Sequence, residues 1–109
     1  MDVIALTEGV YYILLSLMQP RHGYGIMQNA ERLSGGRVRL AAGTLYGALN
    51  TLVARGWIRA LDGGTNDRRK EYVITSEGQA AFLHELDRLR ELVASGEAAL
   101  QETAGGKEA

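Results

Sequence analysis

Side chains that could do covalent or metal chemistry are scarce in this chain and poorly spaced for it. Cysteine is absent, and His22 and His84 are the only histidines. One falls in a turn and the other on a distant helix, at no spacing that resembles a metal site or a catalytic pair. Gly35-Gly36 and Gly63-Gly64 are not followed by the lysine or the helix start that a phosphate-cradling loop requires. The reading is therefore not an enzyme, with no cofactor and no metal. What remains is the chemistry of binding oxyanions. Arg68, Arg69 and Lys70 are consecutive cations in a polar loop, a cluster that a folded core cannot use and a phosphate backbone can. For a loop standing alone, a solvated basic turn balanced by Asp62, Asp67 and Glu71 would be the plainer account.

A second stretch bears on the same chemistry. From Ala42 to Gly56, Leu45, Ala48, Leu49, Leu52 and Val53 recur at the spacing of one helical face, and Gly56 stands where a left-handed cap would end the helix. The opposite face carries Gly43, Gly47, Asn50, Thr51 and Ala54, flanked by Thr44 and Tyr46. A face that met only water would be expected to show Lys and Glu, and each exposed interior glycine costs roughly 1 kcal/mol relative to alanine. Small residues there suit a close neighbour. The major groove of DNA is one such neighbour and a second packed helix is another; the helix alone leaves both open.

The net charge of −1 conceals an asymmetry. Residues 1–70 hold nine Lys and Arg against five Asp and Glu, whereas residues 71–109 hold three against eight. A basic front half can meet phosphate while an acidic back half turns away from it. The N-terminal apolar run is short, broken by Thr7, Glu8 and Gly9, and has no basic leader, so neither a signal peptide nor a membrane span is expected and a cytoplasmic location follows.

These residues need elements to hold them. Thr7 caps a first helix carrying Val10, Ile13, Leu14, Leu17 and Met18, which ends before Pro20. Tyr11 and Tyr12 lie beside that stripe, where they could pack in the core, line a ligand cavity or contact a second subunit. After the turn Pro20-Arg21-His22, a second helix runs from about Gly23 to Leu33, with Ile26, Met27, Ala30 and Leu33 inward and Ser34-Gly35-Gly36 closing it. Arg37-Val38-Arg39-Leu40 is a short extended link, and its two arginines are further candidates for phosphate. Two helices so joined, the second with a small-residue outer face, describe a helix-turn-helix. Trp57–Leu61 and Lys70–Ile74 read as strands of a hairpin with a long tip, which makes it a wing. Thr75-Ser76-Glu77 opens a last helix whose Phe82, Leu86, Leu89 and Val93 form a seam for another helix, with Gly96 interrupting it and the tail from Thr103 frayed. A terminal helix this apolar either folds back on its own domain or pairs with a copy of itself, and a domain this small, with little core to receive all of it, favours the pair.

The ordered motifs carry a resemblance. Leu6-Thr7-Glu8 before Tyr11-Tyr12-Ile13-Leu14, then Pro20-Arg21-His22-Gly23-Tyr24, Gly43-Thr44-Leu45-Tyr46, Arg55-Gly56 and Ile74-Thr75-Ser76-Glu77-Gly78 together resemble the PadR family of bacterial transcriptional regulators, over about residues 4 to 95. The resemblance implies a mainly α fold with a small β-hairpin: a winged helix-turn-helix at 1–75, a C-terminal dimerisation helix at 76–102 and a tail at 103–109. It implies a homodimeric repressor of a pseudo-palindromic operator, with double-stranded DNA met by Gly43, Thr44, Tyr46 and Asn50 and by a wing carrying Arg68, Arg69 and Lys70. Tyr11, Phe82, Leu86, Leu89 and Val93 are the expected dimerisation residues. Some members respond to a small aromatic or drug-like effector bound near the dimer interface. Many members have proline after the helix tyrosine, where this chain has Gly47. A winged helix that binds protein in place of DNA is the alternative reading, because a fold does not fix a function.

Overall fold

Thr7 stands in extended backbone and its hydroxyl accepts the Val10 N–H at 3.1 Å, so α1 begins at Glu8 and runs to Ser16. The computed structural model describes residues 5–61 and 70–106. Helix α1 stops earlier than its apolar stripe suggests. The carbonyl of Leu17 accepts the Ile74 N–H at 2.9 Å and is thereby tied to a strand that lies far along the chain. Met18, the last residue of the expected stripe, is exposed.

Strand β1 (Arg21–His22) leads directly into α2 (Gly23–Leu33), and α3 spans Ala42–Arg55. Gly56 closes α3 in the left-handed region at φ 81°, as the sequence predicts, because a glycine reaches that conformation without the steric penalty of a Cβ. Strands β2 (Ile58–Leu61) and β3 (Glu71–Ile74) form the hairpin, and β1 pairs on the far side of β3, giving an antiparallel sheet of order β1-β3-β2. Arg21 stands opposite Tyr72, and Ile58 stands opposite Ile74.

One core joins these pieces: Ile13, Leu14 and Leu17 of the first segment, Ile26, then Leu45, Leu49 and Leu52 of α3, Ile58, Tyr72 and Ile74 of the sheet, and Phe82. Burying an aliphatic side chain of this size contributes on the order of 1.5–3 kcal/mol. Val53 and Leu33 were expected in the core and are exposed instead. Val53 sits at the margin of the stripe formed by Leu45, Leu49 and Leu52, and Leu33, although in line with Ile26, is the last residue of α2.

Helix α4 (Ser76–Gly106) is the longest element. Its start is held by Thr75, whose hydroxyl accepts the Gly78 N–H at 3.0 Å and donates to the Gly56 carbonyl at 2.6 Å. Gly78 is buried, and a side chain there would run into the Trp57 carbonyl, so the sequence brings α4 close against the end of α3. Gly96, expected to interrupt the helix, lies within it, and the helix continues past Thr103. One interior glycine costs about 1 kcal/mol, which the helical hydrogen bonds on either side can carry. From Arg90 to Ala104 every side chain is exposed. The radius of gyration, 17.5 Å, exceeds the roughly 13 Å of a compact chain of this length, and the extent of 69 Å along the longest axis reflects the projecting rod.

Candidate nucleic-acid interface

Helix α3 is amphipathic in an unusual sense. Leu45, Leu49 and Leu52 are buried, while Gly43, Thr44, Tyr46, Gly47, Asn50, Thr51 and Ala54 are all exposed. A Cβ built at Gly43 or at Gly47 would meet nothing within 4 Å. Among the described residues nothing packs on either glycine, so no helix among them accounts for the small-residue face. Ala41 precedes α3 without a side-chain cap, which leaves the first backbone N–H groups of the helix directed outward.

Tyr46 does more than line the face. Its ring and hydroxyl lie across the backbone of Gly23 at the start of α2, where any side chain would collide with them. Asn50 lies one turn further along the exposed face, clear of the core. Thr51 donates its hydroxyl to the Gly47 carbonyl at 3.2 Å, so part of its polar capacity is spent within the helix.

The cations divide into free and paired. Lys70 is exposed at the shoulder of β3, while Arg68 and Arg69 lie outside the described residues. Arg37 pairs with Glu8, and Arg39 lies 3.6 Å from Glu31; all four side chains are at least half exposed. The two link arginines are therefore partly neutralised at home, which lowers their standing as phosphate contacts. Such exposed pairs contribute about 0–1 kcal/mol and yield to a stronger anion. Arg59, exposed on β2 opposite Val73, has no carboxylate partner among the described residues. The sequence reading passed over it because it sits in a strand rather than a cluster; its polar position within an alternating strand was the available signal. Arg55 stacks over Trp57 at 4.9 Å from the ring centre.

The residues expected at a subunit seam fall into two groups. Phe82 is buried in this chain's own core, and Tyr11 packs on it with ring centres 4.7 Å apart and touches Tyr12 edge-on at 5.5 Å. Leu86 and Leu89 are half-buried. Val93 and Leu100 are more than half exposed and continue the line of Leu86 and Leu89 as an apolar strip without a partner among the described residues, while Leu83 and Leu92, also exposed, stand on opposite sides of the helix. Glu85, on the same helix, is only 3% exposed. It takes two hydrogen bonds from Arg88, at 2.7 and 2.8 Å, and the Leu6 N–H at 3.2 Å. The Arg88 guanidinium, helped by the Leu6 amide, holds the Glu85 carboxyl below the ordinary glutamate value against the opposing effect of burial. Among the described residues no group of His, Asp and Glu could hold a metal ion, and no helix is long and apolar enough to cross a membrane.

Two helices at a short connection, a third exposing a light outer face, a hairpin beside it and a long terminal helix define the DNA-binding winged-helix class. The model of the transcriptional regulator PadR-like family matches residues 12–84, and the chain belongs to that family. Among curated proteins no sequence matches. Solved structures agree in shape over nearly the whole chain. A transcriptional regulator from Clostridium thermocellum is 26% identical with a TM-score of 0.64, covering 86% of this chain and 92% of that one. A PadR family transcriptional regulator from Eggerthella lenta is 27% identical with a TM-score of 0.63, over 86% and 81% of the two chains. RosR of H. salinarum is 27% identical with a TM-score of 0.65, over 90% and 99%. The fold and family are those of transcriptional regulators, not of enzymes.

Proposed function

We propose that the protein is a homodimeric repressor that reads a pseudo-palindromic DNA operator with α3 and grips the flanking phosphates with its wing. The observation that carries this reading is the outer face of α3, where Gly43 and Gly47 leave open space that nothing among the described residues fills. Thr44, Tyr46 and Asn50 lie against bases or sugar walls, and Arg68, Arg69 and Lys70 supply most of the salt-sensitive affinity. Residues 1–75 act as the DNA-binding unit and residues 76–102 as the dimerisation helix, with 103–109 as a tail. The exposed strip on α4 supports pairing with a second copy, since a helix with one unpartnered apolar face gains by burying it. Two-fold symmetry then spaces the half-sites by about one helical turn, on the order of 34 Å. Tyr11, Tyr12 and the α4 strip are the surface from which a site for a small aromatic or drug-like effector would be assembled when two copies meet, and its occupation would change the distance between the two α3 helices. The deciding experiment replaces Arg68, Arg69 and Lys70 with alanine. Duplex binding should be abolished while the dimer stays intact. Retained affinity with an unchanged dependence on salt would favour a winged helix that binds protein.

A further inference from the structure

A second cationic feature lies on β1 and α2, away from the outer face of α3. An open cleft of roughly 430 Å³ is lined by Arg21, Gly25, Gln28, Asn29 and Arg32. Both arginines are fixed from behind by polar groups. Arg21 donates its Nε–H to the Ser16 carbonyl at 2.8 Å, and Arg32 donates to the Asn29 side-chain carbonyl at 2.6 Å. Asn29 is itself buried, and its amide nitrogen donates to the buried Ser16 hydroxyl at 3.0 Å. These bonds occupy one edge of each guanidinium and leave other N–H donors toward the cleft. Among the described residues neither arginine has a carboxylate within ion-pair distance. Two positive charges held in place with no counter-charge make a receptor for an oxyanion, because the guanidinium fork matches phosphate geometry and little side-chain freedom is left to lose on binding.

The position of the cleft decides which oxyanion. At about 100° of turn per residue, Gly25, Gln28 and Arg32 lie within roughly 60° of one another on α2, on the side opposite Gly23. Gly23 is the residue beneath Tyr46 of α3. The cleft therefore faces away from α3 and from a duplex laid against it. We propose that this cleft binds the phosphate group of a small molecule, free phosphate or a phosphate monoester, at a site separate from the operator surface.

The test needs no operator. Inorganic phosphate is titrated into the ¹⁵N-labelled full-length protein in chloride buffer, and the backbone amide signals of Gly25, Gln28 and Arg32 should shift saturably. Gln28→Glu places a carboxylate in the cleft without touching the Ser16–Asn29 pair, at a helix spacing from Arg32 that favours folding. That variant and Arg32→Ala, both at exposed positions, should each bind phosphate about tenfold more weakly, equivalent to about 1.4 kcal/mol. Absence of saturation, or an affinity unchanged in both variants, overturns the assignment. A duplex of random sequence forms the second arm. Shifts at the three amides produced by duplex and not by phosphate would give the cleft to the nucleic-acid backbone and overturn it equally.

Discussion

Tyr46 of α3 rests over Gly23 of α2 in the space that any side chain at position 23 would need. The obstacle is the outer end of an exposed side chain, so Gly23→Ala pushes the tyrosine aside rather than breaking the core. The stability loss should stay under about 1 kcal/mol, below the usual range for overpacking. Operator affinity, measured on a duplex selected from random sequence, should fall as far as it does for Tyr46→Ala. In a Tyr46→Ala background the Gly23 substitution should then have no further effect on binding, because the two act through one contact. Additive losses would mean that Gly23 serves DNA binding by some other route.

Gly43 and Gly47 offer the opposite arrangement, with open space where a side chain would go. Replacing each with alanine should stabilise α3 by up to about 1 kcal/mol through helix propensity alone, read as a rise in Tm. The same substitutions should weaken operator binding, since each Cβ intrudes on the surface that meets the groove. A more stable protein that binds DNA as well as the parent would refute the role assigned to this face.

How far these relationships are legible in the sequence depends on how local their causes are. The bounds of α2 and the end of α3 follow from signals a few residues away: Ser34-Gly35-Gly36 after one helix and Gly56 after the other. The three buried leucines of α3 announce themselves by spacing. Strand β1 does not, because two residues show no alternation and their partners, Tyr72 and Glu71, lie some fifty positions along the chain. The anchoring of Glu85 to the Leu6 amide spans 79 positions and leaves no periodic trace. Arg37 and Arg39 look free in the sequence because Glu8 and Glu31 reach them only once the helices have packed. Arg21 and Arg32 look like ordinary surface cations until Ser16 and Asn29 are seen to hold them.

Glu85 makes stability depend on acidity. Arg88 and the Leu6 amide hold its carboxyl below the ordinary glutamate value in the folded chain. The unfolded chain therefore takes up the proton first as pH falls. Its contribution to stability is fully present above the unfolded value, about 4.3, and is lost as pH falls through the lower folded value. Glu85→Gln should be less stable than the parent in denaturant titrations at neutral pH, and the difference should close in strong acid. A gap between the two proteins that is constant with pH would show that packing, and not the charge, is what Glu85 contributes.

Phe82 and Val93 share a helix and differ in what they face, which separates folding from assembly. Phe82 is buried in the chain's own core, so Phe82→Ala should cost about 3–5 kcal/mol and leave the protein largely unfolded on warming. Val93 is more than half exposed and lies outside the core, so Val93→Glu should leave the helical circular dichroism unchanged. If two copies pair along α4, that carboxylate lands in an apolar seam where an unpaired charge is strongly disfavoured. Sedimentation equilibrium should then move from the mass of two chains to the mass of one, and operator affinity should drop with it, because a single half-site holds only one set of contacts. A parent protein already at single-chain mass in the micromolar range, or a Val93→Glu variant that still sediments as two chains, would remove α4 from the account of assembly.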